Sequence, residues 1–96
     1  MKSLDFLDTL AAGRCPETLP APLCALWHAH NEDWERAHRI VQALDDPLAA
    51  RIHAYLHRVE GDEANARYWY ARAGVRFPAG RTLDEEWRAL VALASD

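Results

Sequence analysis

The sequence predicts an all-α fold of about six helices, arranged as two full hairpins with a flanking helix at each end. Apolar residues recur at helical spacing along the whole chain, and strand-type alternation is nowhere sustained. Proline, glycine and capping side chains stand where those apolar runs begin and end. The middle of the chain also repeats itself at an interval of 29 residues. Ninety-six residues, half of them hydrophobic, supply one core, so residues 1–96 read as a single helical-repeat domain.

Taken in order, helix one is expected over 3–12. Ser3 is its N-cap, Leu4, Leu7, Leu10 and Ala11 form the apolar stripe, and Gly13 is the stop. Residues 13–21, with Pro16 and Pro20, form a connector. Pro22 suits the first turn of helix two, which runs to His30. Asp33 caps helix three, which is expected over 34–44, and Pro47 opens helix four, reaching about Glu60. Gly61-Asp62 turns the chain into helix five, 63–73, which Gly74 ends. Residues 75–81 form a loop. Thr82-Leu83-Asp84-Glu85 reads as a capping box for a last helix with Trp87, Leu90, Val91 and Ala94 inward.

The 29-residue shift lays Ala25 on Ala54, His28 on His57, Asp33 on Asp62, Ala37 on Ala66, Val41 on Tyr70 and Leu44 on Ala73. Two stacked hairpins follow, with helices 33–44 and 62–74 expected side by side and alanines allowing close helix approach.

In the second hairpin Gly61-Asp62 is followed by Ala66, Tyr70 and Ala73 at helical spacing and then by Pro78. This pattern resembles the tetratricopeptide repeat. The string Ala66-Arg67-Tyr68-Trp69-Tyr70-Ala71-Arg72-Ala73 is similar to the related Sel-like repeat, and Glu86-Trp87-Arg88-Ala89-Leu90 resembles the opening of a further first helix. The resemblance covers roughly residues 22–90 and is closest over 61–78. It departs from the family in its short spacing, in Asn31-Glu32-Asp33-Trp34 where a glycine turn belongs, and in His53 and His57 where that family has Leu and Tyr. It implies stacked helical hairpins that bind a peptide or partner protein through a concave side, and it implies no catalytic residues.

Eleven basic against fifteen acidic side chains give a net charge of -4, which argues against broad nucleic-acid binding. Residues 51–81 nonetheless hold six arginines against three acids, between two acidic ends, a pattern suited to internal neutralisation or head-to-tail self-association. No apolar run is long enough for a membrane span, and no secretory signal is visible, so a cytoplasmic protein is expected. Cys15 and Cys24, nine residues apart without a CxxC, are expected as free thiols, with Cys24 a small core residue.

Three sets of side chains are candidates for function. Arg51, Tyr55 and Arg58 share one flank of helix four, with His30 as neighbour, and their guanidinium forks beside a phenol suit a carboxylate or phosphate. Their competing role is pairing with acids of nearby helices. His53 and His57 share the other flank one turn apart. The repeat suggests His28 as a third imidazole for a metal, although no HExxH glutamate accompanies them. Buried neutral imidazoles hydrogen-bonded between helices are the alternative, and burial would lower their pKa. Trp27, Trp69 and Trp87 read as core. Trp34, with His38, Asn65, Tyr68 and Trp69, walls a mixed pocket where the hairpins meet.

The leading expectation is a noncatalytic interaction module without cofactor. It would bind a protein segment or small anionic group through its concave face, or pair with its own copies as a homodimer, with no nucleic acid and no membrane involved. The alternative is a small metal-binding protein or histidine-assisted enzyme using His28, His53 and His57.

Overall fold

A computed structural model describes residues 2–95. Six α-helices follow one another, α1 (Ser3–Asp8), α2 (Ala21–His30), α3 (Trp34–Gln42), α4 (Pro47–Val59), α5 (Glu63–Ala73) and α6 (Leu83–Ala94), and there is no strand among the described residues. No helix is long and apolar enough to cross a membrane. α2 pairs with α3 and α4 with α5 as hairpins, and α6 lies against α2 and α4. α4 is the central element, in contact with α2, α3, α5 and α6. Its two-sided burial explains this position, because Ala49, Ile52 and Leu56 on one side and Ala54 on the other are all buried. α3 packs chiefly on α2 and then on α4, and α5 chiefly on α4, with little contact between α3 and α5, which corrects the side-by-side arrangement expected of them.

The repeat is visible in the backbone. In the first turn Asn31, Glu32 and Asp33 donate to the carbonyls of Trp27, Ala29 and His28 at 3.2, 3.2 and 2.9 Å. In the second, Glu60, Gly61 and Asp62 donate to Leu56, Arg58 and His57 at 3.1, 3.1 and 2.9 Å. Asp33 and Asp62 then each cap the next helix, accepting from the backbone N–H groups of Arg36 and Asn65, both at 3.2 Å. Glu32 takes a left-handed φ of 64° where Gly61 takes 84°, so a glutamate occupies the glycine position of the repeat.

α1 departs from expectation. It ends at Asp8, where the Thr9 hydroxyl donates to the Phe6 carbonyl at 2.7 Å, and a 3-10 turn, Leu10–Ala12, follows. Its cap residue is Lys2, without a side-chain hydrogen bond, and not Ser3. The inward residue is Phe6, fully buried with its ring 6.0 Å from Trp87, while Leu4 is exposed. Leu7 and Leu10 of the expected stripe pack half-buried against the same core. α3 ends at Gln42, so Leu44 lies beyond it.

The main core gathers Phe6, Leu23, Leu26, Trp27, Val41, Ile52, Leu56 and the inner face of α6. A smaller cluster of Ala54, Ala66 and Tyr70 lies between α4 and α5, with Trp69, Val75 and Phe77 against it. α6 begins with the predicted capping box between Thr82 and Glu85 and hooks onto both hairpins. Trp87 donates its indole N–H to the Leu26 carbonyl at 3.0 Å. The neighbouring Glu86, 2% exposed, accepts from Arg58 at 2.8 Å and from the Tyr70 hydroxyl at 2.5 Å. A buried carboxylate is tolerated there because a cation and a hydroxyl satisfy it.

Candidate functional site

α3 enters the stack through Trp34, whose indole N–H donates to the Leu56 carbonyl of α4 at 2.6 Å. That bond fixes the register of α3 on α4. One turn later, His38 lies flat against Trp34, with centroids 4.6 Å apart and planes 11° apart, and points at α4. There, His53 and His57, also one turn apart, stack at 5.0 Å. α5 closes the far side, with Trp69 stacked on His53 at 3.8 Å and 13°. Three imidazoles are thus held between two indoles, each from a different helix.

The polar atoms converge. His38 Nε2 lies 3.0 Å from His53 Nε2, so one ring donates and the other accepts. His57 Nδ1 lies 2.6 Å from the Glu60 carboxylate. One nitrogen from each of His38, His53 and His57 lies within 4.8 Å of the others. Burial pushes the His53 pKa down to about 4, with His38 and His57 adding to the shift. His38 is also lowered, by burial and then by His57, against the opposing pull of Glu60 and Glu35. His38 and His53 are therefore neutral at pH 7, the state in which imidazole ligates a metal.

Around a tetrahedral zinc ion with Zn–N of 2.0–2.1 Å, ligand nitrogens stand about 3.3 Å apart. The His38–His53 pair, at 3.0 Å, is near that separation, and the His57 nitrogen lies within 4.8 Å of both. Glu60 engages Nδ1 of His57 in the carboxylate–imidazole arrangement that orients metal-ligating histidines, leaving Nε2 as the nitrogen available to a metal.

The expected third imidazole is corrected. His28 does not join His53 and His57; its ring nitrogen groups with the thiols of Cys15 and Cys24. Repeat-equivalent residues lie one hairpin apart, not face to face, and α3 stands beside α4 and supplies His38 instead. Of the residues expected to wall a pocket, Trp34 stacks on His38 and Trp69 on His53. Asn65 does not reach them, because its amide donates to Asp62 at 2.8 Å in the α5 cap, and Tyr68 is exposed against Trp69 and Arg72.

The arginine flank does not form an open clamp. Arg58 is paired with Glu86 and also donates to the Arg81 carbonyl, and Tyr55 is buried, its pKa pushed up to about 12 by burial and by nearby Glu86 and Asp84. His30 packs on Trp87, ring centroids 5.0 Å apart. α6 thus covers the face on which these residues were expected to meet a ligand. Arg51 stays half-buried, and its Nε is buried without a hydrogen-bond partner among the described residues. Comparison of the chain with known protein families, with curated proteins and with solved structures finds no match.

Proposed function

We propose that this chain is a small helical metal-binding module that takes a divalent transition-metal ion of the zinc class on His38, His53 and His57, with Glu60 orienting His57. The observation that carries this reading is the convergence of three imidazole nitrogens within 4.8 Å, with two of the rings clamped by Trp34 and Trp69. Neutral imidazoles suit zinc, nickel and copper better than hard cations. The test is elemental analysis and zinc titration of protein purified without chelator or affinity tag. Bound zinc is expected, and His38→Ala should lose one equivalent that His28→Ala keeps at this cluster. A metal-free protein that refuses added zinc and nickel overturns the reading.

A second reading, an interaction module that pairs with its own copies or with a protein segment, is favoured by the exposed leucines at the ends of the chain fold, Leu4 on α1 and Leu93 on α6. Light scattering after size exclusion tests the homodimer, and a strictly monomeric mass at high concentration removes it.

A further inference from the structure

The 29-residue shift that lays His28 on His57 also lays Cys24 on His53. Both hairpins therefore carry a pair of metal-ligand residues one turn apart at the same place on their first helix. In the second hairpin the pair is completed by His38, from the helix packed beside α4. In the first it is completed by Cys15, from the connector that precedes α2, whose Sγ lies 3.1 Å from that of Cys24. One ligand atom from each of Cys15, Cys24 and His28 lies within 4.8 Å of the others. The following turns match as well, with Asn31 and Asp33 in the first hairpin where Glu60 and Asp62 stand in the second. Cys15, Cys24, His28, Asn31 and Asp33 all line one open cleft of about 730 Å³.

We infer that Cys15, Cys24 and His28 form a second metal site, a thiolate-rich counterpart of the histidine cluster, and that its ion is zinc. Two thiolates and an imidazole form a softer donor set than three imidazoles and leave a fourth position for water, facing the cleft that Asp33 also lines. Around tetrahedral zinc, with Zn–S near 2.3 Å, two sulfurs stand about 3.8 Å apart. The observed pair must open by less than an ångström, and Cys15 sits on irregular chain between Gly13 and Pro16 that can yield.

Binding replaces two S–H bonds by two Zn–S bonds and releases two protons, so a dication and two thiolates make a neutral unit in the half-buried cleft. Without metal the Cys15 thiol is neutral, since burial and the adjacent Cys24 push its pKa up to about 12. Zinc uptake here should therefore strengthen with rising pH and acidify a weakly buffered solution.

The parallel with the second hairpin rests on the histidine-cluster reading; the converging thiols do not. Cobalt(II), used as a zinc surrogate on fully reduced protein without oxygen, separates the two. Sulfur-to-cobalt charge-transfer absorption in the near ultraviolet is expected in the native protein. It should be absent in Cys24→Ser and kept in His38→Ala; cobalt uptake should release two protons at this site, and zinc should then displace the cobalt with no further proton release. Circular dichroism of metal-free Cys24→Ser controls for folding, and Cys15→Ser provides the second variant. Cobalt bound without any charge-transfer absorption overturns this inference and leaves the histidine cluster standing. Charge-transfer absorption in a protein whose metal content is unaffected by His38→Ala supports it while the other reading falls. If the reduced protein takes no metal and its thiols only oxidise to a disulfide, this inference is overturned.

Discussion

The two hairpins share a backbone and differ in what they bury. Their turns match hydrogen bond for hydrogen bond, and both second helices are capped by an aspartate. Yet α2 and α3 place Leu23, Leu26, Trp27 and Val41 in the core, whereas α4 and α5 enclose His53, His57 and the Glu86–Arg58–Tyr70 network. A helical hairpin is specified by a few positions: the cap, the left-handed residue and the small residue at the close approach. The remaining positions are free to diverge. The first hairpin contributes more of the main core, and the second holds the smaller Ala54, Ala66 and Tyr70 cluster and most of the buried titratable groups.

The comparison breaks most severely at Glu86. Glu86→Ala leaves Arg58 charged, largely buried and without its carboxylate, and should cost about 3–5 kcal/mol in chemical denaturation. Hydrogen exchange should show the loss first in α5, which Glu86 ties through Tyr70, ahead of α2, which Trp87 still holds. Restoration of much of that stability by adding Arg58→Met would show that the unpaired cation carries the cost.

Acid should sharpen the difference next. In chelator-treated protein His53 titrates near 4 when folded and near 6.5 when unfolded, so the unfolded state binds more protons between those values. Stability is then present above about pH 6.5 and is lost as pH falls towards 4. His53 alone gives about 2 kcal/mol between pH 7 and pH 5, or roughly 10 °C in melting temperature. The groups facing it set the direction: His38 from α3, also lowered, and His57 from its own helix add repulsion, and only Glu60 and Glu35 act against His38. In the first hairpin His28 is lowered too, by burial and Arg36 against Asp33. His53→Leu should flatten the thermal profile over this window, and a profile that stays level in the native protein would refute the assignment.

The smallest effect tests the turns. An added Cβ at Gly61 meets nothing within 4 Å, so Gly61→Ala should cost only the backbone penalty of its φ of 84°, about 1 kcal/mol. Glu32→Gly should do the reverse in the first hairpin and raise stability by about 0.5–1 kcal/mol. Equal and opposite shifts in melting temperature would establish the two turns as the same element.

Helices two to six, the Asp33 and Asp62 caps, the repeat and the α6 capping box were legible because each depends on neighbours within a turn or two of the sequence, whereas the Ser3 cap was misplaced. His53 and His57 were legible as a pair for the same reason. The third ligand was not, since it depends on which helix packs beside α4, and the repeat pointed to His28 one layer away. Trp34 and His38, one turn apart, were the available signal. Arg58 carried no local sign of Glu86, which lies 28 residues on. Cys15 meets Cys24 only because the connector folds back, though the shift of Cys24 onto His53 could have marked the place.

The indole–imidazole stacks have an optical consequence. Of four tryptophans, Trp27 and Trp87 sit in the core with their N–H groups bonded to backbone carbonyls, while Trp34 and Trp69 lie face to face with His38 and His53. A protonated imidazole accepts an electron from an excited indole at contact distance, and a neutral one does not. Emission from Trp34 and Trp69 is therefore wired to the charge of the rings they cover, and the unmodified protein carries its own fluorescent indicator of the state of its histidines.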